Sequence, residues 1–160
     1  LAAGFAQSAA LCYTGAMSIT YKGIDHLGVV VSDLEAATDT YGELLGMPIT
    51  GGEEIPERGI EVRFVDTGNS RIELLAPMRG DSEISRFLGK RGEGLHHICL
   101  EVEDLEATLK QMKTNGVRLI DEIPRQGSGG SRVAFVHPKA THGVLLELVE
   151  IAKLSHGEDA

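Results

Sequence analysis

The chain has 160 residues and no tryptophan, and aromatic residues make up only 4% of it. Unpaired bases bind by stacking on exposed aromatic rings, so single-stranded nucleic acid is not an expected partner. Positive charge is also scarce. Fifteen Lys and Arg stand against 24 Asp and Glu, for a formal net charge of −9. Such a surface is repelled by phosphate backbones and anionic membranes. Neither nucleic acid nor membrane is therefore expected as a partner, and any anionic small molecule must be met by a local cluster of basic side chains. The only cysteines are Cys12 and Cys99. One lies in an atypical leader and the other inside an apolar run, so no structural disulfide is expected, which fits a reducing, cytoplasmic setting. No apolar run approaches the roughly 20 residues of a membrane span.

The two ends differ from the rest in composition. Residues 1–17 are Ala-rich, contain neither Lys nor Arg and show no period. They lack the basic start of a signal peptide and the arginines of a transit peptide, and read as a non-native or disordered leader with Met17 as the natural start. Residues 153–160 form a polar tail expected to fray.

Between the ends the chain repeats itself. His26–Ala36 reads HLGVVVSDLEA and His97–Ala107 reads HICLEVEDLEA, an offset of 71 residues. Val62, Phe64 and Val65 match Val133, Phe135 and Val136 at the same offset, and Ile72-Glu73-Leu74 matches Leu146-Glu147-Leu148 at 74. A longer turn at His137–Gly143 absorbs the difference. Each copy begins with a β-branched apolar run, Ile24–Val31 in the first, that reads as a buried strand. An Asp or Ser cap and a helically spaced stripe follow: Leu34, Ala37, Thr38, Tyr41, Leu44 and Leu45, or Leu105, Leu109 and Met112. Three short strands come next, near Pro48–Glu53, Ile60–Asp66 and Arg71–Ala76, then near Arg118–Ile123, Arg132–His137 and Gly143–Glu150. The expected fold is α+β: one domain over residues 18–152, built from two tandem β-α-β-β-β modules at 22–80 and 93–152. A linking helix at 81–92 joins them, and the curled sheets form a cup.

Strand alternation distributes the polar residues. If the more apolar face of each strand packs on its helix, then His26, Glu61, Glu73, His97 and Glu147 face the cup. Each module thus offers one His from its first strand and one Glu from its last. Two imidazoles and two carboxylates converging on a point make a divalent-metal site of N/O type. Glu61 breaks the symmetry, because its counterpart is Arg132. It is either a general base beside the metal or an exposed strand charge alternating with Arg63. His96 is expected to point away from His97 and to serve packing. Cys99 is expected to be a small wall residue. The Gly- and Ser-rich segment Arg125–Arg132 either offers backbone N–H groups and cations to an anion or is a flexible turn.

These features resemble the vicinal-oxygen-chelate superfamily, which includes glyoxalase I, and within it the methylmalonyl-CoA epimerase family. The resemblance rests on GIDHLGVVV at Gly23, RGIEVRFV at Arg58, IELLAP at Ile72, GEGLHHICLEV at Gly92, GSGGSRVAFVHPK at Gly127 and GVLLELVE at Gly143. It implies His26, Glu73, His97 and Glu147 as ligands of one divalent ion, Co(II) being favoured over Mn, Zn, Ni or Mg, and Glu61 and Glu147 as the acid/base pair. It also implies interconversion of (2R)- and (2S)-methylmalonyl-CoA by metal-assisted abstraction of the C2 proton, enolate stabilisation and reprotonation on the opposite face. A homodimer is implied as well. Arg125, Ser128, Arg132 and Lys139 are expected to hold the anionic CoA tail, with Arg86, Lys90 and Arg91 as a second group. The alternatives are a glyoxalase I-type lactoylglutathione lyase, which shares the four ligand types, and a metal-free binding protein of the same fold, against which retention of all four argues.

Overall fold

The computed structural model describes residues 19–127 and 130–152. The leader, the tail and Ser128 of the Gly-rich segment lie outside them. The first module runs β1 (Tyr21–Val30), α1 (Leu34–Asp39), β2 (Ile49–Ile55), β3 (Ile60–Asp66) and β4 (Arg71–Pro77). The linking helix is α2 (Glu83–Arg91). The second module runs β5 (Gly94–Val102), α3 (Leu105–Thr114), β6 (Arg125–Gln126), β7 (Arg132–Val136) and β8 (Leu145–Glu150).

The two modules share one eight-stranded sheet, ordered β2-β3-β4-β1-β5-β8-β7-β6. Strands β1 and β5 pair antiparallel at its centre, and each pairs parallel to the last strand of its own module on the other side. The repeat is therefore a pseudo-twofold about the β1–β5 seam. Asp33 and Asp104 cap α1 and α3 identically, each carboxylate accepting the N–H three residues on. Those caps occupy equivalent places in the DLEA run, which accounts for its recurrence.

One face of the sheet carries α1 and α3. Val102, Leu105, Leu109, Met112, Ala134, Val136 and Leu148 form the core of the second module. Val31, Leu34, Val65, Leu74 and Ala76 form that of the first. A third cluster lies on the opposite face, where Ile84 of α2 packs on Val30, Ile60, Val62 and Leu75. The cup-facing surface is thus itself apolar on the first-module side.

Two elements depart from expectation. After Asp39 the first helix widens into a π-turn at Thr40–Leu44, closed by the Leu45 N–H donating to the Thr40 carbonyl at 3.0 Å. The wider winding turns Leu44 and Leu45 out of the stripe, and they are exposed. In the second module, Arg118–Ile123 is not a strand. Leu119 makes an isolated bridge to Val136, and the only pairing that follows is the two-residue β6.

Candidate metal centre and substrate cup

The four expected ligands come from the two strands at the seam and the two flanking them. His26 lies on β1 and His97 on β5, with Glu73 on β4 and Glu147 on β8. Their polar atoms converge. His26 Nε2 is 2.9 Å from His97 Nε2 and 3.4 Å from both Glu73 Oε2 and Glu147 Oε2. His97 Nε2 is 3.0 Å from Glu147 Oε2. One donor atom each from His26, His97 and Glu147 fits within 4.8 Å, and Glu73 approaches the group from the His26 side. Donors held about 2.1 Å from a common ion stand roughly 3.0–3.4 Å apart, so these residues fit a divalent ion. Their exposures are 5% for both histidines and 8% for Glu147.

Burial alone would lower the His26 pKa, but its bonds to Asp25, Cys99 and Glu147 and the charge of Glu73 raise it instead. Burial opposes ionisation of Glu147 as well, yet the two histidines hold its carboxyl down near 2. Burial pushes the Glu73 carboxyl up, against the pull of His26. Two carboxyl groups and two imidazoles face one another in this pocket, a donor set that a divalent ion would satisfy.

Each histidine is aimed by its predecessor. The β1–β5 ladder shifts register between Ile24 and His26 and between Gly28 and Val29, so Asp25 and His96 are extra, bulged residues. A bulge re-aims side chains. Asp25 Oδ2 bonds His26 Nδ1 at 2.7 Å and also receives Arg71 at 2.9 Å. His96 Nδ1 bonds His97 Nδ1 at 2.9 Å. His96 is not turned away from the cup as alternation alone requires; it lines it and packs edge-on against Phe87 of α2. Burial and the neighbouring His97 lower its pKa to about 4, so it is uncharged at neutral pH. Both ligands are thereby set to present Nε2 to an ion. Gly28 makes room for this. A Cβ there would lie 2.1 Å from His97 Cε1, so only glycine lets the His97 ring lie across β1.

A cavity of about 360 Å³ opens over this cluster. Its first-module wall is aliphatic, with Ile60, Val62, Leu75 and Ile84, and Phe135 faces it from β7. Cys99 is fully buried and burial pushes its thiol up to about 12; it does not line the cavity, and its thiol lies with Asp25 and His26 in a second group whose donor atoms fit within 4.8 Å. The cations in the cavity are Arg58, Arg71 and Arg125. Arg125 stacks over Phe135 at 5.5 Å and bonds Asp121 at 2.8 Å. Arg58 pairs with Glu83. Arg58 and Arg71 were not expected; the odd-numbered cup parity of Arg71 and Glu73 on β4 is the signal that would have found Arg71.

Three expected residues lie elsewhere. Glu61 pairs with Ala76 in the β3–β4 ladder, and Ala76 belongs to the helix-side core. Its neighbours Ile60 and Val62 face the cup, so alternation turns Glu61 to the outer face. Arg132, its counterpart at the 71 offset, does the same: it bonds Glu106 of α3 at 2.7 Å and Glu150 at 2.9 Å. Lys139 sits on an exposed 3-10 turn, Pro138–Ala140, and does not line the cavity. Helix α2 covers the cup face of β3, where Ile84 packs on Ile60 and Val62. Both faces of that strand are buried, and apolarity no longer marks the helix side.

A strand pair repeated about a seam, with two imidazoles and two carboxylates meeting beneath an open cavity, defines a family. Residues 25–135 match the Glyoxalase/Bleomycin resistance protein/Dioxygenase superfamily, and the chain belongs to it. The human mitochondrial methylmalonyl-CoA epimerase is 40% identical over 126 residues, covering 78% of this chain and 72% of that protein. The crystal structure of the Mycobacterium tuberculosis methylmalonyl-CoA epimerase superposes with a TM-score of 0.79 at 37% identity, over 87% of this chain and 94% of that one. A structure of methylmalonyl-CoA epimerase in complex with methylmalonyl-CoA and NH4+ gives 0.77 at 38%, over 84% and 97%. Within the superfamily the chain belongs to the methylmalonyl-CoA epimerase family.

Proposed function

We infer that this protein interconverts the C2 epimers of methylmalonyl-CoA. The observation that carries the reading is the convergence of His26, His97, Glu73 and Glu147 at the base of a cup, in a chain 40% identical to the human epimerase over 78% of its length. His26, Glu73, His97 and Glu147 would hold the ion, and Co(II) is favoured, with Mn, Zn, Ni or Mg compatible with the same donors. A divalent ion there supplies Lewis acidity to the oxygens of the thioester and the free carboxylate that flank C2.

The residues of the chain do the remainder. Asp25 and His96 fix the two imidazoles before substrate arrives, so no reorganisation is needed as charge develops. Glu147, 3.0 Å from His97 and 3.4 Å from His26 at the base of the cup, is placed to accept the C2 proton. The aliphatic wall of Ile60, Val62 and Leu75 suits the methyl substituent and excludes water from the enolate. Arg125 at the rim meets the anionic CoA tail, whose charge the acidic protein otherwise repels. No helix among the described residues is long and apolar enough to cross a membrane; a cytoplasmic homodimer completes the proposal.

The test is exchange of the C2 proton of methylmalonyl-CoA in deuterated water, followed by NMR with and without chelator. Chelator-sensitive exchange accompanied by inversion is the expected result. Absence of both in the metal-loaded protein rejects the epimerase reading.

A further inference from the structure

Inversion at C2 requires proton transfer on both faces of a planar enolate, so a second group must face Glu147 across the substrate. Glu61 does not reach the cup. Five carboxylates do line the cavity: Asp25, Glu53, Glu73, Glu83 and Glu147. Asp25 is engaged by His26 and Arg71, and Glu83 by Arg58. Glu73 and Glu147 belong to the histidine cluster. Among the described residues Glu53 alone of the five has no hydrogen-bond or ion-pair partner.

The placement of Glu53 is set by the backbone. Strand β2 shifts register against β3 between Ile49 and Gly51. Ile49 stands opposite Val65 on the outer face, but beyond the shift Glu53 stands opposite Val62 and Ile55 opposite Ile60, both on the cup face. Gly52 permits the close approach, because a Cβ there would lie 2.4 Å from the Val62 carbonyl oxygen. Glu53 is half-buried and projects from the first-module wall, whereas Glu147 projects from the second. In the sheet order, β2 and β8 flank β4, β1 and β5, the strands that carry Glu73, His26 and His97, and Glu53 and Glu147 line the same cavity. A short acyl group seated at the histidine cluster would therefore lie between the two carboxyls.

We propose that Glu53 of β2 is the second proton-transfer residue, acting on the face of C2 opposite Glu147. This rests on the epimerase reading above. In one direction the Glu147 carboxylate takes the C2 proton, and the C–H electron pair delocalises into the enolate. Protonated Glu53 then donates its proton to the other face, forming the new C–H bond. In the reverse direction the roles exchange. Each turnover leaves the two carboxyls with swapped protonation states, and the solvent access of half-buried Glu53 lets the proton be replaced.

The experiment uses the full chain loaded with a divalent ion and one pure epimer at a time in deuterated water. It reads C2–H exchange, inversion, KM and bound ion by elemental analysis. For Glu53→Gln, inversion is expected to fall by about 100-fold or more, with ion content and KM unchanged. One epimer is expected to keep exchanging its C2–H with retention, through Glu147, while the other stops. The neighbour Glu54→Gln, exposed and paired with outward-facing Glu61, is the control expected to match the parent protein. Parental inversion in Glu53→Gln, loss of exchange from both epimers, or loss of the ion each overturns the assignment while leaving the parent's activity intact. Failure of the underlying reading is distinct, because the parent itself then neither exchanges nor inverts.

Discussion

Asp25 and His96 are one residue used twice: each is a bulged position immediately before a histidine of the central cluster, and each bonds that histidine's Nδ1, at 2.7 Å and 2.9 Å. The two supports differ in charge, since Asp25 is held ionised by His26 and by Arg71 whereas His96 is kept neutral by burial. An anionic support makes its imidazole the stronger donor.

Loss of either support is expected to weaken ion binding about 10- to 100-fold, and Asp25→Ala is expected to cost more than His96→Ala. Calorimetric titration of ion-free protein with Co(II) measures both. Equal, negligible effects would show that the rings are oriented by packing alone.

The outer and cup faces of the sheet separate Glu61 from Glu73. Glu73→Ala is expected to lower ion affinity and turnover together. Glu61→Gln, on the helix side, is expected to keep its full complement of ion and to change turnover by no more than about twofold, since surface substitutions away from specific features usually shift energies by less than about 0.5 kcal/mol. Elemental analysis and initial rates on the same preparations decide it; a large rate loss with ion retained would mean that the β3 carboxylate reaches the substrate after all.

How much of this was legible in the sequence depended on what lay behind each strand. Where one face packs on a helix and the other lines polar space, as with Leu74 against Glu73 or Leu148 against Glu147, alternation assigns the face correctly. On β3 it does not, because Val62 packs on α2 and Val65 on α1, and two apolar faces carry no sign. Nor does alternation reveal a bulge: His96 and Glu53 face the cup only because register shifts change the count. The offset of 71 did report the seam, since equivalent histidines from both modules meet there. That the two sheets are one continuous sheet follows from backbone pairing between β1 and β5, which leaves no compositional trace.

Gly28 offers a test of packing at the centre. Alanine there must displace the His97 ring, which a Cβ would otherwise approach to 2.1 Å. Gly28→Ala is expected to destabilise the fold by about 1–3 kcal/mol and to abolish stoichiometric ion binding. Thermal unfolding and elemental analysis provide the readouts. An unchanged unfolding temperature with full ion content would refute the close approach.

The basic residues divide by face in the same way. Arg125→Ala is expected to raise KM for methylmalonyl-CoA several-fold with little change in kcat, because the contact serves ground and transition states alike. The effect should shrink as salt is added. Arg132→Ala, which removes bonds to Glu106 and Glu150, is expected to lower the unfolding temperature and leave KM unchanged. Steady-state rates at two ionic strengths and a melting curve separate these outcomes; a KM effect from Arg132 instead would place the nucleotide on the outer surface.

The seam between β1 and β5 has a consequence for alignment. A slip of one residue along a strand ladder turns every side chain to the opposite face, and here it would carry His26 and His97 apart and leave the two carboxylates without counter-charge. An ion gripped from both modules would act as a register lock: binding only the correctly aligned halves, it would favour them by mass action, by about 2.7 kcal/mol when present at 100 times its Kd. The atoms proposed to hold the ion for chemistry would thus also proofread how the duplicated halves are joined.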